Sequence, residues 1–337
     1  MKIVRTDCEL HTPTIDATLR ETGHQLVLLP DGVSENVLIE AVRDADLILM
    51  CYTPVTKRVI AAAERLKGIV KYGVGIDAID IPAANERGIP VVNVPEYAEE
   101  TVAEGAFALM IALAKKLHPL DRAMKERGWV WPEPPWLGSD IAGKTVGLVG
   151  FGKIGSAMAR MCGAGFRARV IAYNPGKPAD EMKAAGAAKY DDLYELLGQS
   201  DFVSLHCVLT PETRGIIGAA ELKAMKRSAY LINSSRGALV DEMALLAALK
   251  DGEIAGAGLD VFGSEPLNRS DHPLRELYDM PNVILSPHLT FYTAEAMERL
   301  ERETLERCFE ILEGRKVLVK SHDPRLRAQC EGVLFGK

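Results

Sequence analysis

No stretch of this sequence is apolar for long enough to cross a membrane, and its first residues, MKIVRTDCELH, lack the apolar centre of a secretory leader. Both absences point to a cytoplasmic protein. There is no CxxC pair either. The six cysteines, Cys8, Cys51, Cys162, Cys207, Cys308 and Cys330, are scattered and stand beside no histidine pairs, so reduced thiols are expected, with no zinc site and no metal. Positive charge is in deficit. A net charge of -7 argues against nucleic acid or an anionic membrane as a partner. No segment repeats at a fixed period, which sets aside solenoids and propellers.

What remains is ordinary globular material, 47% apolar and 26% charged. At 337 residues it is long enough for two well-buried domains. Up to about Pro95, short apolar runs (Ile3-Val4, Gln25 to Leu29, Leu47 to Met50, Ile69 to Tyr72, Val91-Val92) alternate with helical stretches near Glu35 to Arg43, Thr56 to Leu66 and Ile81 to Arg87. Alternation of this kind means a parallel α/β sheet. Glu99 to Leu117 reads as one long buried helix, crossing between domains. The following arm, RGWVWPEPPWLGSD, holds all three tryptophans, Trp129, Trp131 and Trp136, and its prolines forbid a helix. It serves either as a subunit contact or lid, or as packing on its own domain.

The most informative stretch is Lys144 to Gly155, KTVGLVGFGKIG. An apolar strand breaks into a glycine turn, and a helical pattern over Ile154 to Cys162 follows. Gly150 permits a tight turn, Gly152 lets a pyrophosphate approach the backbone, and Gly155 lets helix and strand pack closely. Unpaired amides at the helix start suit phosphate. Such turns also occur where nothing binds. Here a second strand follows, Arg169 to Tyr173, and at its end, where an acidic residue usually holds the adenosine ribose, stands Asn174. Asparagine does not repel a 2′-phosphate and Lys177 is close, so NAD is preferred and NADP stays open.

The pattern continues to Leu285, and a charged last helix, Ala294 to Leu312, is expected to pack back on the first unit. Three polar residues stand at strand ends, where α/β sheets place their chemistry: Arg236, Glu265 and His288. Singly, each has a plain reading as a surface ion pair, a turn residue or a buried histidine. Together with KYGVGIDAID (71–80), TVAEGAFAL (101–109), HCVLTPETRGI (206–216), NSSRGALVD (233–241), GLDVFGSEP (258–266) and Ser286-Pro287-His288, they resemble the D-isomer-specific 2-hydroxyacid dehydrogenases over nearly the whole chain. The branch resembled is that of glyoxylate/hydroxypyruvate reductases and C-terminal-binding proteins.

The resemblance implies two Rossmann-like, doubly wound parallel-sheet domains with an active-site cleft between them. Residues 1–100 with 290–337 would form the substrate domain, and 101–289 the dinucleotide domain. It implies an NAD(P)-dependent oxidoreductase that interconverts 2-oxo and D-2-hydroxy acids as a homodimer. His288 would be the acid/base, held by Glu265, and Arg236 would grip the carboxylate and carbonyl. Tyr52, the turn Gly73, Val74 and Gly75, and Phe291 would line the substrate pocket, with a partner's tryptophan as a further candidate. Thr101, Gly150, Gly152, Lys153, Ile154, Gly155, Asn174, Cys207, Val208, Thr210, Ser234, Ser235, Asp260 and His288 would face the cofactor. Phosphoglycerate-oxidising relatives carry an arginine in the loop after the third strand; Met50 to Pro54 offers none, which disfavours 3-phosphoglycerate. The run Leu289 to Thr293 raises a rival, an NADH-binding corepressor-like scaffold without significant turnover.

Overall fold

Ser34, Thr56 and Asp80 each stand just before an apolar run, and in the structure each caps a helix by accepting from the amides of Val37, Val59 and Ala83. The structure is a computed structural model describing residues 1–336. The chain divides into two units, residues 1–98 together with those from 293 on, and residues 99–292.

The first unit opens with β1 (Lys2–Arg5), α1 (Pro13–Glu21), β2 (Gln25–Leu28), α2 (Glu35–Val42), β3 (Leu47–Met50), α3 (Lys57–Ala62), β4 (Gly68–Lys71), α4 (Ile81–Glu86) and β5 (Val91–Asn93). The strands form one all-parallel sheet in the order β2-β1-β3-β4-β5. Every residue of β3 is fully buried, as a strand covered on both faces requires. Each such side chain contributes about 1.5–3 kcal/mol. The helix α1 carries little apolar signal beyond Ile15 and Leu19, and the sequence pattern misses it.

The second unit begins with α5 (Glu99–Ala114) and α6 (Leu117–Arg127). One continuous helix to Leu117 is thereby corrected: Lys116 adopts φ 53 and breaks it. In the arm that follows, Pro134–Trp136 makes a single 3-10 turn, which proline tolerates at a helix start. Then come β6 (Thr145–Val149), α7 (Lys153–Arg160), β7 (Arg169–Tyr173), α8 (Ala179–Ala184), β8 (Ala188–Tyr190), α9 (Leu193–Gln199), β9 (Phe202–Leu205), α10 (Ala219–Ala224), β10 (Tyr230–Asn233), α11 (Glu242–Lys250), β11 (Gly256–Leu259) and β12 (Val283–Leu285). Seven parallel strands run β12-β11-β10-β9-β6-β7-β8, so the order reverses between β9 and β6. At that reversal the strand ends open into a crevice, the usual ligand position in such sheets.

The chain returns to the first unit through α12 (Ala294–Leu312), capped by Thr293. Gly68 on β4 admits it: a Cβ there would fall 2.6 Å from Ile311 Cδ1. The tail, β13 (Val317–Val319), α13 (Pro324–Arg327) and β14 (Val333–Phe335), is pinned to β5 by Gln329, whose side chain bonds both the amide and the carbonyl of Val91.

Candidate active site

The sequence candidates divide between the two units. In the second, β6 runs into the glycine turn at the strand-order reversal. Gly150 adopts φ 95, and a Cβ there would lie 2.4 Å from the Cys207 amide nitrogen; at Gly155 it would lie 2.5 Å from the Gly150 oxygen. Gly152, at the N-cap of α7, faces open space with nothing within 4 Å. Two glycines therefore serve packing and one leaves room for a ligand beside the unspent amides at the helix start. Lys153 pairs with Glu99 at 2.9 Å, and Ile154 is half-buried.

Asn174 follows β7, half-exposed, and its carbonyl accepts from the Lys177 amide. Lys177 Nζ reaches back to donate to the Phe151 carbonyl at 3.1 Å, so this cation lies against the glycine turn. Across the turn, His206 shares a hydrogen bond between Nε2 and Ser204 Oγ, 2.9 Å, and burial pushes its imidazole down to about 4. The adjoining Cys207 thiol is pushed up to about 11 by burial, so it carries no charge near neutral pH. Val208 is exposed, and Thr210 is tied to Thr213 within its own turn. Ser235 Oγ donates to the Cys207 carbonyl at 2.7 Å, joining the loop after β10 to the loop after β9. Ser234 is buried with its hydroxyl unpartnered by protein, and Thr101 is buried on α5.

Arg236, Glu265 and His288 follow β10, β11 and β12, three adjacent strands, which is why residues so far apart in sequence meet. His288 Nδ1 lies 2.9 Å from Glu265 Oε2, and Glu265 Oε1 accepts from the Phe262 amide at 2.9 Å. Burial raises the Glu265 carboxyl, but the hydrogen bond and charge of His288, the Phe262 amide and the Arg236 charge outweigh it and hold the group below the usual carboxylate range. A carboxylate only accepts, so Nδ1 carries a proton and Nε2 is the atom left to give or take one. The Phe291 ring stands edge-on to the imidazole, 6.4 Å between centroids, and is only 7% exposed.

His288 itself sits at φ 59, a strained conformation for a residue with a Cβ. Asp260 holds it there. This fully buried carboxylate accepts from the amides of Leu289 (2.9 Å) and Thr290 (3.1 Å) and from the Thr290 hydroxyl (2.6 Å), while its own carbonyl accepts the His288 amide at 2.7 Å. Sequence reasoning missed Thr290, because its contact to Asp260 spans 30 residues.

The first unit holds Tyr52 and the turn Gly73-Val74-Gly75 at its strand ends. The Gly73 amide turns inward to the Lys71 carbonyl, whereas the amides of Val74 and Gly75 donate to no protein group among the described residues. Asn93 Nδ2 fixes the turn by donating to the Val74 carbonyl at 2.6 Å. The loop carrying Tyr52 is folded around a residue the sequence did not single out: buried Asp7 accepts from the amides of Cys51, Tyr52 and Thr53.

The NAD-binding-domain model of the D-isomer specific 2-hydroxyacid dehydrogenases matches residues 107–290. A glyoxylate reductase of Korarchaeum cryptofilum is 43% identical over 276 residues, 81% of each chain. A D-3-phosphoglycerate dehydrogenase of Methanocaldococcus jannaschii is 40% identical over 315 residues, 93% of this chain but 58% of that longer protein. Among solved structures, a D-lactate dehydrogenase of Aquifex aeolicus complexed with NAD and lactic acid is 30% identical, with a TM-score of 0.82 over 93% of this chain and 96% of that one. The chain belongs to the D-isomer specific 2-hydroxyacid dehydrogenase family.

Proposed function

We propose that this protein reduces a small 2-oxo acid to the D-2-hydroxy acid, and catalyses the reverse, with NAD(H) as the preferred dinucleotide. The observation that carries the reading is the His288–Glu265 pair at 2.9 Å, beside the Arg236 charge, in the unit that matches the NAD-binding domain. The turn at Gly150 to Gly155 fits a dinucleotide: Gly152 leaves the open face that a pyrophosphate needs, and the start of α7 offers amides to it. The bound dinucleotide supplies or accepts the hydride. Everything else falls to the chain's own groups.

In reduction, His288 Nε2 delivers a proton to the carbonyl oxygen as charge develops there, and Glu265 stabilises the ring while it is doubly protonated. The reverse direction needs the same ring as base. Arg236, a planar fork of donors, holds the carboxylate and the carbonyl oxygen in one orientation. Within the first unit, the free amides of Val74 and Gly75 are donors suited to a carboxylate. Names among the relatives favour glyoxylate-sized substrates over 3-phosphoglycerate. Asn174 in place of an acidic residue, with Lys177 against the glycine turn, leaves room for NADPH as a second cofactor. The protein acts in the cytoplasm as a homodimer on this reading; among the described residues no helix is long and apolar enough to cross a membrane.

Oxidation of NADH and of NADPH, followed by absorbance with glyoxylate, pyruvate, hydroxypyruvate, 2-ketogluconate and phenylpyruvate, tests it directly. Turnover is expected with NADH above NADPH, and His288→Ala should lose about 100-fold or more in kcat at unchanged NADH affinity. Absence of turnover across the panel with dinucleotide binding intact would favour a non-catalytic, peptide-recruiting role.

A further inference from the structure

The reaction as written leaves one buried charge of the first unit without a task. Lys71, the last residue of β4, is 5% exposed. Its ammonium donates to the Cys51 carbonyl, lies 3.1 Å from Cys51 Sγ, and stands 5.1 Å from the centre of the Tyr52 ring. These acceptors are neutral: burial raises the Cys51 thiol despite the pull of Lys71, so no thiolate balances the charge. The nearby Asp7 carboxylate is taken by three amides and by the hydroxyls of Thr6 and Thr53. Among the described residues Lys71 makes no ion pair within 4.0 Å.

A buried ammonium bonded only to neutral groups is costly, and it lowers the energy of any anion that arrives beside it. Its position says where that anion would sit. A Cβ on Gly73 would lie 3.1 Å from Lys71 Nζ, so the charge is directly behind the turn whose Val74 and Gly75 amides are unspent. Asn93 holds the Val74 carbonyl away from those amides.

We propose that Lys71 is a specificity-determining residue: the fixed positive charge behind the Gly73–Gly75 turn, which makes that turn choose an ionised carboxylate over a neutral carbonyl compound. This rests on the reading that 2-oxo acids are the substrates. The loop after β3 contains no cation of its own, and β4 delivers one to it from behind. The charge acts on binding of the carboxylate rather than on the proton or hydride step, so its effect belongs in KM for the acid.

The test compares kcat/KM for the best 2-oxo acid of the panel with kcat/KM for its methyl ester, in the wild type, in Lys71→Met and in Lys71→Gln. Glutamine keeps a donor for the Cys51 carbonyl and removes the charge, and ester turnover reports that the first unit is folded. Expected is a wild-type preference for the acid that falls about 10- to 100-fold in both variants through KM of the acid, with ester turnover and NADH affinity within about twofold. An unchanged acid-to-ester ratio, or equal losses on acid and ester, would overturn the role of Lys71 while leaving the dehydrogenase reading intact. A wild type that reduces neither compound would overturn the reading beneath it.

Discussion

At the scale of the residue, the chemistry is concentrated in Glu265. Its depressed carboxyl stays ionised in the fold and fixes the imidazole tautomer. Glu265→Gln keeps the shape and removes the charge. Reduction at neutral pH should fall about 100-fold, because the ring loses the carboxylate that accepts its Nδ1 proton and balances its charge during proton transfer. Undiminished reduction would remove the carboxylate's electrostatic role. Stability also depends on this charge. A carboxyl whose folded value is depressed contributes stability above its ordinary value of about 4.3, and the contribution is lost as pH falls through the folded value. The glutamine variant should therefore show a flatter acid side in a plot of Tm against pH. That Arg236, Glu265 and His288 come to one edge of the sheet was legible in the sequence because they follow three apolar strands, and strand ends of a parallel sheet share one edge. Asp7, Lys71 and Thr290 were not. Each works through a side-chain contact 20 or more residues away, to a loop without periodicity.

At the scale of the element, α5 does more than fill the second unit. Gly105 on this helix faces Thr290, and a Cβ there would fall 2.5 Å from Thr290 Cβ and 2.8 Å from its Cγ2. The helix thus has a notch that receives the loop on which His288 is strained, and Asp260 closes the loop from the other side. Gly105→Ala would raise helix propensity yet force this loop outward, at a net cost of about 1–3 kcal/mol from overpacking. We expect kcat to drop at least tenfold with NADH affinity nearly kept, measured by steady-state rates alongside fluorescence titration of NADH. A variant with wild-type kcat would show that the loop tolerates displacement. Most strands were readable from apolar runs, since burial on both faces leaves little choice of residue. Helix ends were less so: Lys115-Lys116 continues a helical composition, and only the left-handed backbone at Lys116 ends α5. The segment α6 that follows is amphipathic and mostly exposed, which weakens its apolar signal.

At the scale of the whole molecule, the question is what covers the tryptophan arm. Trp129, Trp131 and Leu137 are 65%, 73% and 79% exposed, and the first two rings meet edge to face at 6.2 Å. A side chain packing the arm onto its own unit would be buried, so that alternative loses its main support for these three residues. Leaving such large apolar groups in water forgoes roughly 1.5–3 kcal/mol apiece, enough in sum to drive association if a second copy covers them. On the proposed homodimeric reading, this arm is the surface that a second copy would cover. Replacing Trp129, Trp131 and Leu137 together by serine should convert the protein to monomers in multi-angle light scattering, with NADH affinity preserved, because none of the three belongs to the glycine turn or its surroundings. The triple variant also separates assembly from chemistry. If monomers bind NADH but reduce 2-oxo acids much more slowly, the second copy contributes to the substrate side of the reaction. Should the variant remain dimeric, the contact lies on another face and the exposed tryptophans must be explained by a different partner.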